Sequence, residues 1–275
     1  MILRQRGAVP FYQFRSLAAF PVVLHAVFTR LGGQSKGAFR SLNAGQLVGD
    51  EPQDVQENLR RISQVLGIRS EQLVTAHQVH GANVAIVRAS HQGAIIPASD
   101  GLICREPGVA LLLRFADCLP VLLFDPTRRA IGLLHAGWRG CLAGIVAHTV
   151  TEMITAFGSR PGDIVACLGP AIGPCCYQIG PEVVKLVRDT FVDDDHVLRA
   201  QTNGGLHLDL PAAVEKQLRE LGIMQIEQSG LCTHCHSDQF FSHRADLGRT
   251  GRFAAILALR HLASAQRSLA LSIPH

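Results

Sequence analysis

The sequence predicts an α+β fold, a single domain over residues 1–275 with mixed or largely antiparallel sheets covered by helices. Three observations lead there. Short apolar runs bounded by turn residues, such as VALLLRF at 109–115 and the runs at 120–124 and 130–134, read as buried strands. The links between them are shorter than the dozen or so residues a parallel crossover needs, so neighbours pair antiparallel or in a mixed sheet. Stretches of helical periodicity are interspersed among these strands. No compositional break marks a linker, and no fixed-period repeat is visible.

The 275 residues are 47% hydrophobic, enough to bury a sizeable core. A formal charge of +4, with no block of like charges, gives no nucleic-acid footprint but suits a small anionic substrate. At the N-terminus Arg15, Pro21 and His25 interrupt any signal-like apolar region. No stretch approaches the ~20 apolar residues needed to span a bilayer, so no membrane role is expected. Eight cysteines in a chain of this length, without an export signal, point to a reducing cytoplasm rather than a disulfide framework.

Residues 29–49, dense in Gly, Ser and Asn, read as an irregular loop. The segment 50–67 reads as a helix, with Val55, Leu59, Ile62 and Leu66 on one stripe and Gly67 as its stop. Residues 71–87 read as two strands joined at a hairpin tip, His80-Gly81-Ala82-Asn83. A polar connection at 90–100 leads to the strands at 109–115, 120–124 and 130–134. The segment 141–157 then reads as one helix, with Leu142, Ile145, Val146, Thr149, Val150, Met153 and Ile154 along its apolar stripe.

Downstream, 163–168 reads as a strand leading into the Gly- and Pro-punctuated loop 169–180. Helices are expected over 181–192 and 210–221, each with a Pro at or near its start, and a final strand over 251–259. Asp193-Asp194-Asp195 reads as a solvated turn, and 264–275 as a tail.

Chemistry concentrates between Ala116 and Gly140, where Cys118 and His135 flank a buried apolar hairpin. A thiolate and an imidazole on rigid strand ends suit a transition metal, and zinc in particular. His80 supplies a third donor, and three protein ligands leave one position open, as in a catalytic zinc site. Taken singly, each has a plainer reading: a buried Cys as a small hydrophobe, a His as a hydrogen-bonded residue. Arg139, in the HAGWRG turn, has a planar donor fork suited to phosphate. Trp138 is expected to pack rather than stack on a base.

Two cysteine motifs stand apart. The adjacent Cys175 and Cys176 read as packed and reduced, because neighbouring residues point in different directions. Cys232-Thr233-His234-Cys235-His236 has the spacing of covalent haem attachment, but it runs into the apolar segment SDQFFSHRAD and reads as structure. A four-ligand zinc site there would need a second Cys/His pair.

The segments QVHG at 78–81, DGLI at 100–103, ADCLPVLLFDP at 116–126 and GLLHAGWRG at 132–140 resemble the laccase-domain family, also labelled polyphenol oxidase or peptidoglycan editing factor. The likeness extends to VFTRLGGQSKGAFRSLNAGQLVGDEP from Val27, LGPAIGPCCYQIG from Leu168 and CTHCHSDQFFSHR from Cys232. The resemblance implies a zinc-dependent purine nucleoside phosphorylase acting on adenosine, inosine and S-methyl-5'-thioadenosine, with adenosine deaminase activity. Its implied metal ligands are His80, Cys118 and His135.

The same resemblance puts the 29–49 loop near the active site, with Asn43 singled out, and involves the FFSHR stretch. Phe240, Phe241 and Arg244 are read as closing the substrate pocket. Where the family often has Asn-Arg, this chain has Asn58-Leu59, so an anion-binding role there would pass to Arg60. Asp117 is assigned proton transfer or support of the ligands, and Arg139 the phosphate anchor. Two other functions fit some of these residues: a copper-dependent polyphenol oxidase, since copper can take a Cys-His-His set, and a metal-free hydrolase with Cys118 as nucleophile and His135 as base.

Overall fold

The structure, a computed structural model, describes residues 1–191, 196–200 and 204–261. In chain order its elements are β1 (Ile2–Arg6), β2 (Val9–Gln13), α1 (Arg15–Ala18), β3 (Val23–Phe28), α2 (Pro52–Leu66), β4 (Leu73–Ala76), β5 (Val84–Ile86), β6 (Ile95–Ile96) and β7 (Gly101–Cys104). There follow β8 (Ala110–Phe115), β9 (Leu119–Asp125), β10 (Ala130–Ala136), α3 (Trp138–Leu142), α4 (Ile145–Phe157) and β11 (Val165–Leu168). The last are α5 (Pro181–Thr190), β12 (Leu198–Ala200), β13 (Leu206–Leu208), α6 (Leu210–Glu220), β14 (Gln225–Gln228) and β15 (Phe253–Leu259).

One sheet has seven strands in the order β1-β2-β3-β15-β8-β4-β6, and a second has six in the order β14-β11-β9-β10-β7-β5. Most neighbours are antiparallel, but β4 runs parallel to β8 and β6, β5 to β7, and β11 to β14. The sheets are therefore mixed, as expected.

Side-chain alternation explains how they stack. Leu111, Leu113 and Phe115 of the first sheet share a cluster with Leu122, Phe124, Ile131 and Leu133 of the second. The opposite face of the second sheet, including Val121, Leu123 and Leu134, packs with Val146, Val150, Val187 and Val214 of the helices. The outer face of the first, with Ala26, Leu112 and Ile256, meets Ile62, Val65 and Leu66 of α2. Four layers result: helix, sheet, sheet, helices. Strands covered on both faces are buried at every position, as β9, β10 and β15 are, which is why their sequences are apolar apart from Asp125 and His135.

Three expectations are corrected. His80 to Asn83 is not a hairpin tip: β4 lies in the seven-stranded sheet and β5 in the six-stranded one, so the segment crosses between layers. The predicted 141–157 helix is two helices. Gly144 adopts a left-handed conformation (φ 83°), which L side chains rarely take, and the chain turns there before α4 begins. Ile154, expected on the buried stripe of that helix, lies at its edge and is 41% exposed. The strands β1, β2 and β3 were not anticipated, because the mixed polar and apolar N-terminal segment carries no clean period; β1 leaves most of its residues exposed.

Helices α2, α5 and α6 start and stop within a few residues of expectation. Gly67 caps α2 in the left-handed region, and the Asp209 side chain accepts a hydrogen bond from the Ala212 N–H at the start of α6. The Asp193-Asp194-Asp195 turn and the tail at 264–275 lie outside the described residues.

Candidate active site and metal centre

Strand register brings distant residues to one end of the two sheets. Cys118 directly precedes β9, and His135, near the end of β10, sits opposite Pro120. β7 pairs with β10 so that Gly101 faces Leu134, which sets Asp100 beside His135. β5 runs parallel to β7 with Val84 opposite Gly101, delivering the loop that carries His80 to the same place. From the other sheet, β8 ends at Phe115 and leads into Asp117.

Asp100 organises this cluster. Its fully buried carboxylate accepts hydrogen bonds from the N–H groups of Val79 (3.1 Å), His80 (3.0 Å) and Gly81 (2.8 Å). It also lies 2.8 Å from Nδ1 of His135. Burial pushes its pKa up, but the His135 contact and the N–H donors outweigh that and hold it below the usual carboxylate value. His80 is thereby kept at φ 60°, uncommon for a non-glycine residue.

The imidazoles of His80 and His135 have centroids 4.9 Å apart in an edge-on arrangement. One ligand atom from each of His80, Cys118 and His135 lies within 4.8 Å of the others. Burial would raise the Cys118 thiol, yet the two histidines draw it below its ordinary value. His135 is pulled down by burial and raised more strongly by Cys118 and Asp100. The pair favours thiolate beside imidazolium, which prepares the sulfur as a nucleophile or a ligand, while His135 would release its proton on holding a metal.

Gly140 shows how tightly the loop is laid down. A Cβ on it would stand 2.6 Å from the carbonyl oxygen of Gly81, so only a hydrogen fits between α3 and the His80 loop.

A cleft of about 810 Å³ opens over the cluster, and Asp117, Arg139 and Arg244 line it together with His80, Cys118 and His135. Asp117 has φ 86°; its Oδ1 accepts from the Thr233 hydroxyl at 2.6 Å and its Oδ2 from the Arg244 N–H at 2.7 Å. The Arg139 guanidinium lies 4.3 Å over the ring of Trp138, which also borders the cleft. Arg244 donates to the Gln178 carbonyl at 3.1 Å and sits over the Tyr177 ring.

Asn43 and Phe241 are not on the cleft wall. Asn43 is fully buried: its Oδ1 accepts from the N–H groups of Gly45 and Arg252, both at 2.8 Å, so it supports two residues that do line the cleft. Phe241 is fully buried beneath the Arg30 guanidinium, and Phe240 packs against Phe253. Arg60 is a surface residue of α2 paired with Glu57 at 2.6 Å, which leaves no route to an anion in the cleft.

Sequence reading missed Asp100, Arg114 and Arg252. The clue for the arginines was a single charge within or directly before an otherwise apolar run, in VALLLRF and in GRFAAILAL, since charges are seldom buried without a purpose. Arg114 donates to the Ala44 carbonyl and the Thr75 hydroxyl, both at 2.6 Å, and burial pulls its pKa down to about 10. Arg252 donates to the Thr250 and Gly251 carbonyls. Among the described residues the cleft wall therefore carries Arg114, Arg139, Arg244 and Arg252 against one carboxylate, Asp117.

Cys175 and Cys176 are likewise not simply packed. Their sulfurs converge with those of Cys232 and Cys235 in a second cluster.

The family model for multi-copper polyphenol oxidoreductase laccase matches residues 24–260. Purine nucleoside phosphorylase YlmD of Geobacillus stearothermophilus is 41% identical over 242 residues, covering 84% of this chain and 88% of that protein. Purine nucleoside phosphorylase of Bacteroides thetaiotaomicron is 34% identical over 249 residues, 87% of this chain and 92% of that one. The solved structure of YlmD from Geobacillus stearothermophilus superposes with a TM-score of 0.88 at 38% identity, over 94% of this chain and 99% of that chain.

Proposed function

The chain belongs to the multi-copper polyphenol oxidoreductase laccase family, and from that premise we propose that it is a zinc-dependent purine nucleoside phosphorylase with adenosine deaminase activity. The observation that carries the reading is the excess of guanidinium groups in a cleft that also holds the His80, Cys118 and His135 donors. Such a wall suits an anion, and phosphate is the co-substrate of phosphorolysis.

The donor set fits zinc. One soft sulfur and two imidazoles match its ligand preference, and Asp100 occupies Nδ1 of His135, leaving Nε2 as the donor. When bound, the ion supplies Lewis acidity, activating water or polarising a substrate oxygen.

The chain's own residues account for positioning. In phosphorolysis a phosphate oxygen bonds to the anomeric carbon while the C–N bond breaks and the purine leaves with its electron pair. Arg139 holds the phosphate, with Arg114 and Arg252 lowering the cost of its charge. Asp117 takes or returns a proton and, through the Arg244 N–H, sets the opposite wall. In deamination the oxygen of water bonds to the purine ring carbon while its amino group takes a proton and leaves as ammonia, and no anion anchor is needed.

A multicopper oxidase is the weaker alternative. Among the described residues the metal-capable groups are one Cys-His-His set and one four-cysteine set, with no paired-histidine array. Incubating zinc-loaded protein with adenosine, with and without phosphate, separates the readings. The expected products are adenine and ribose 1-phosphate only with phosphate, and inosine in either case. Phenol turnover with copper and no purine product would overturn the proposal. A metal-free protein whose Cys118 is readily alkylated would instead favour the hydrolase.

A further inference from the structure

We propose that Cys175, Cys176, Cys232 and Cys235 form a second metal site, a mononuclear tetrathiolate centre suited to zinc, which clamps two segments of the cleft wall together. This site is separate from the His80, Cys118 and His135 group and does not depend on the reaction run in the cleft.

Backbone pairing creates it. Ala171 and Cys232 form a parallel bridge, with the Thr233 N–H donating to the Ala171 carbonyl at 3.0 Å. The 169–180 loop is thereby laid against the start of the 232–236 motif. In the turn after Gly173 the N–H groups of Cys176 and Tyr177 both donate to the Gly173 carbonyl, at 3.0 Å. Both adjacent cysteines then reach the same sulfur. Cys235 Sγ lies 3.6 Å from Cys175 Sγ and 3.4 Å from Cys176 Sγ.

The spacing is that of ligands around one ion. All four sulfurs lie within 4.8 Å of one another. Zinc–sulfur bonds of about 2.3 Å in a tetrahedron place the sulfurs about 3.8 Å apart. A polynuclear iron–sulfur cluster interposes its own sulfides and holds its cysteines further apart. Cys232-x-x-Cys235 has a zinc-ligand spacing, and the second pair that the motif lacks in sequence arrives from the loop. Cys232 Sγ accepts the Gly173 N–H at 3.2 Å, a bond that favours a thiolate.

The exposure of two of these cysteines argues against the ordinary alternative of packing, although Cys232 is buried and Cys176 half-buried. Cys104, Cys141 and Cys167 are buried and serve as small hydrophobes, whereas Cys175 and Cys235 are exposed and fill no core. Cys235 is nearly equidistant from two sulfurs but could form a disulfide with only one of them. A single ion satisfies all four, with release of the thiol protons as it binds.

The clamp has a consequence for the cleft. Ile172 and Tyr177 line it from the 169–180 loop, and His243 and Arg244 line it from the chain after the motif. The two sides already touch where Arg244 meets Gln178 and Tyr177. The metal would fix their separation.

The test uses the full chain, expressed with zinc and kept reduced. Cys118→Ala removes the first site, so any zinc it retains belongs to the second. About one zinc per chain is expected there, with X-ray absorption showing sulfur ligands alone at about 2.3 Å, and about two are expected in the wild type. Cobalt(II) reconstitution of the same variant should give intense sulfur-to-metal charge-transfer absorption. Cys235→Ser, or Cys175→Ser if the former does not fold, should abolish that absorption when combined with Cys118→Ala. Stripping the zinc should raise hydrogen exchange in 169–180 and 229–244 together. Cys118→Ala protein that takes up neither zinc nor cobalt would overturn the site, as would a Cys235 disulfide persisting in zinc-replete, reduced protein. Unchanged exchange on stripping would overturn the clamp. Loss of purine turnover with this centre intact would count only against the function proposed for the cleft.

Discussion

The Asp100 carboxylate lies 2.8 Å from Nδ1 of His135 while accepting the backbone N–H of His80 at 3.0 Å, so one buried acid orients two donors from separate segments of the chain. Asp100→Asn places an amide nitrogen among N–H donors that need an acceptor. Metal affinity, measured by chelator competition, should fall roughly 10- to 100-fold, the usual effect of losing such a supporting carboxylate. Unchanged affinity would remove Asp100 from the metal centre.

Arg139 distinguishes the two proposed reactions. Arg139→Ala should raise the KM for phosphate by about 10- to 100-fold, the scale of one charge-assisted hydrogen bond. Phosphate-independent formation of inosine should change little. Equal losses in both reactions would make Arg139 a general scaffold residue.

Gly140→Ala tests the close contact between α3 and the His80 loop. In an ordinary helix the change stabilises by about 1 kcal/mol. Here the added carbon meets the Gly81 carbonyl at 2.6 Å, so a destabilisation of about 1–3 kcal/mol is expected in urea unfolding, together with weaker metal binding. A stabilised, fully metallated variant would show that the loop yields freely.

His25 gives the fold a pH dependence. Burial lowers its pKa from 6.5 to about 4, with the Glu227 charge a partial offset; its Nε2 accepts the Phe14 N–H at 2.8 Å, which favours the neutral ring. Between those values the unfolded chain binds a proton that the folded one excludes. Stability therefore rises with pH across this window, is complete above it, and is lost as pH falls towards the folded value. The single-site contribution is about 3 kcal/mol. His25→Gln, which keeps an acceptor for the Phe14 N–H, should show a shallower dependence of urea midpoint on pH than the wild type. Parallel curves would contradict the assignment.

Much of the molecule follows from local pattern. The apolar runs of β8, β9, β10 and β15, broken only by Arg114, Asp125 and His135 towards their ends, announce strands covered on both faces, and glycines such as Gly67 mark where helices end. Cys118 and His135 could be paired from sequence because a short hairpin brings both to its open end. His80 was named beside them, although for a mistaken local reason: its loop passes between two sheets rather than turning a hairpin.

What the tertiary structure alone decided depends on contacts between segments far apart in the chain. Asp100 acquires its role only when β7 docks beside β10, and Arg114 and Arg252 only when the two sheets stack and leave their ends around a common cleft. Asn43 and Phe241 resemble site residues in sequence, yet packing places them behind the wall. Cys175 and Cys176 carry no ligand signature until a backbone bridge 61 residues long in sequence, from Ala171 to Cys232, brings another pair to them. Apolar periodicity is written along the chain because each side chain meets its own layer. A binding site is a coincidence in space, and strand register creates it.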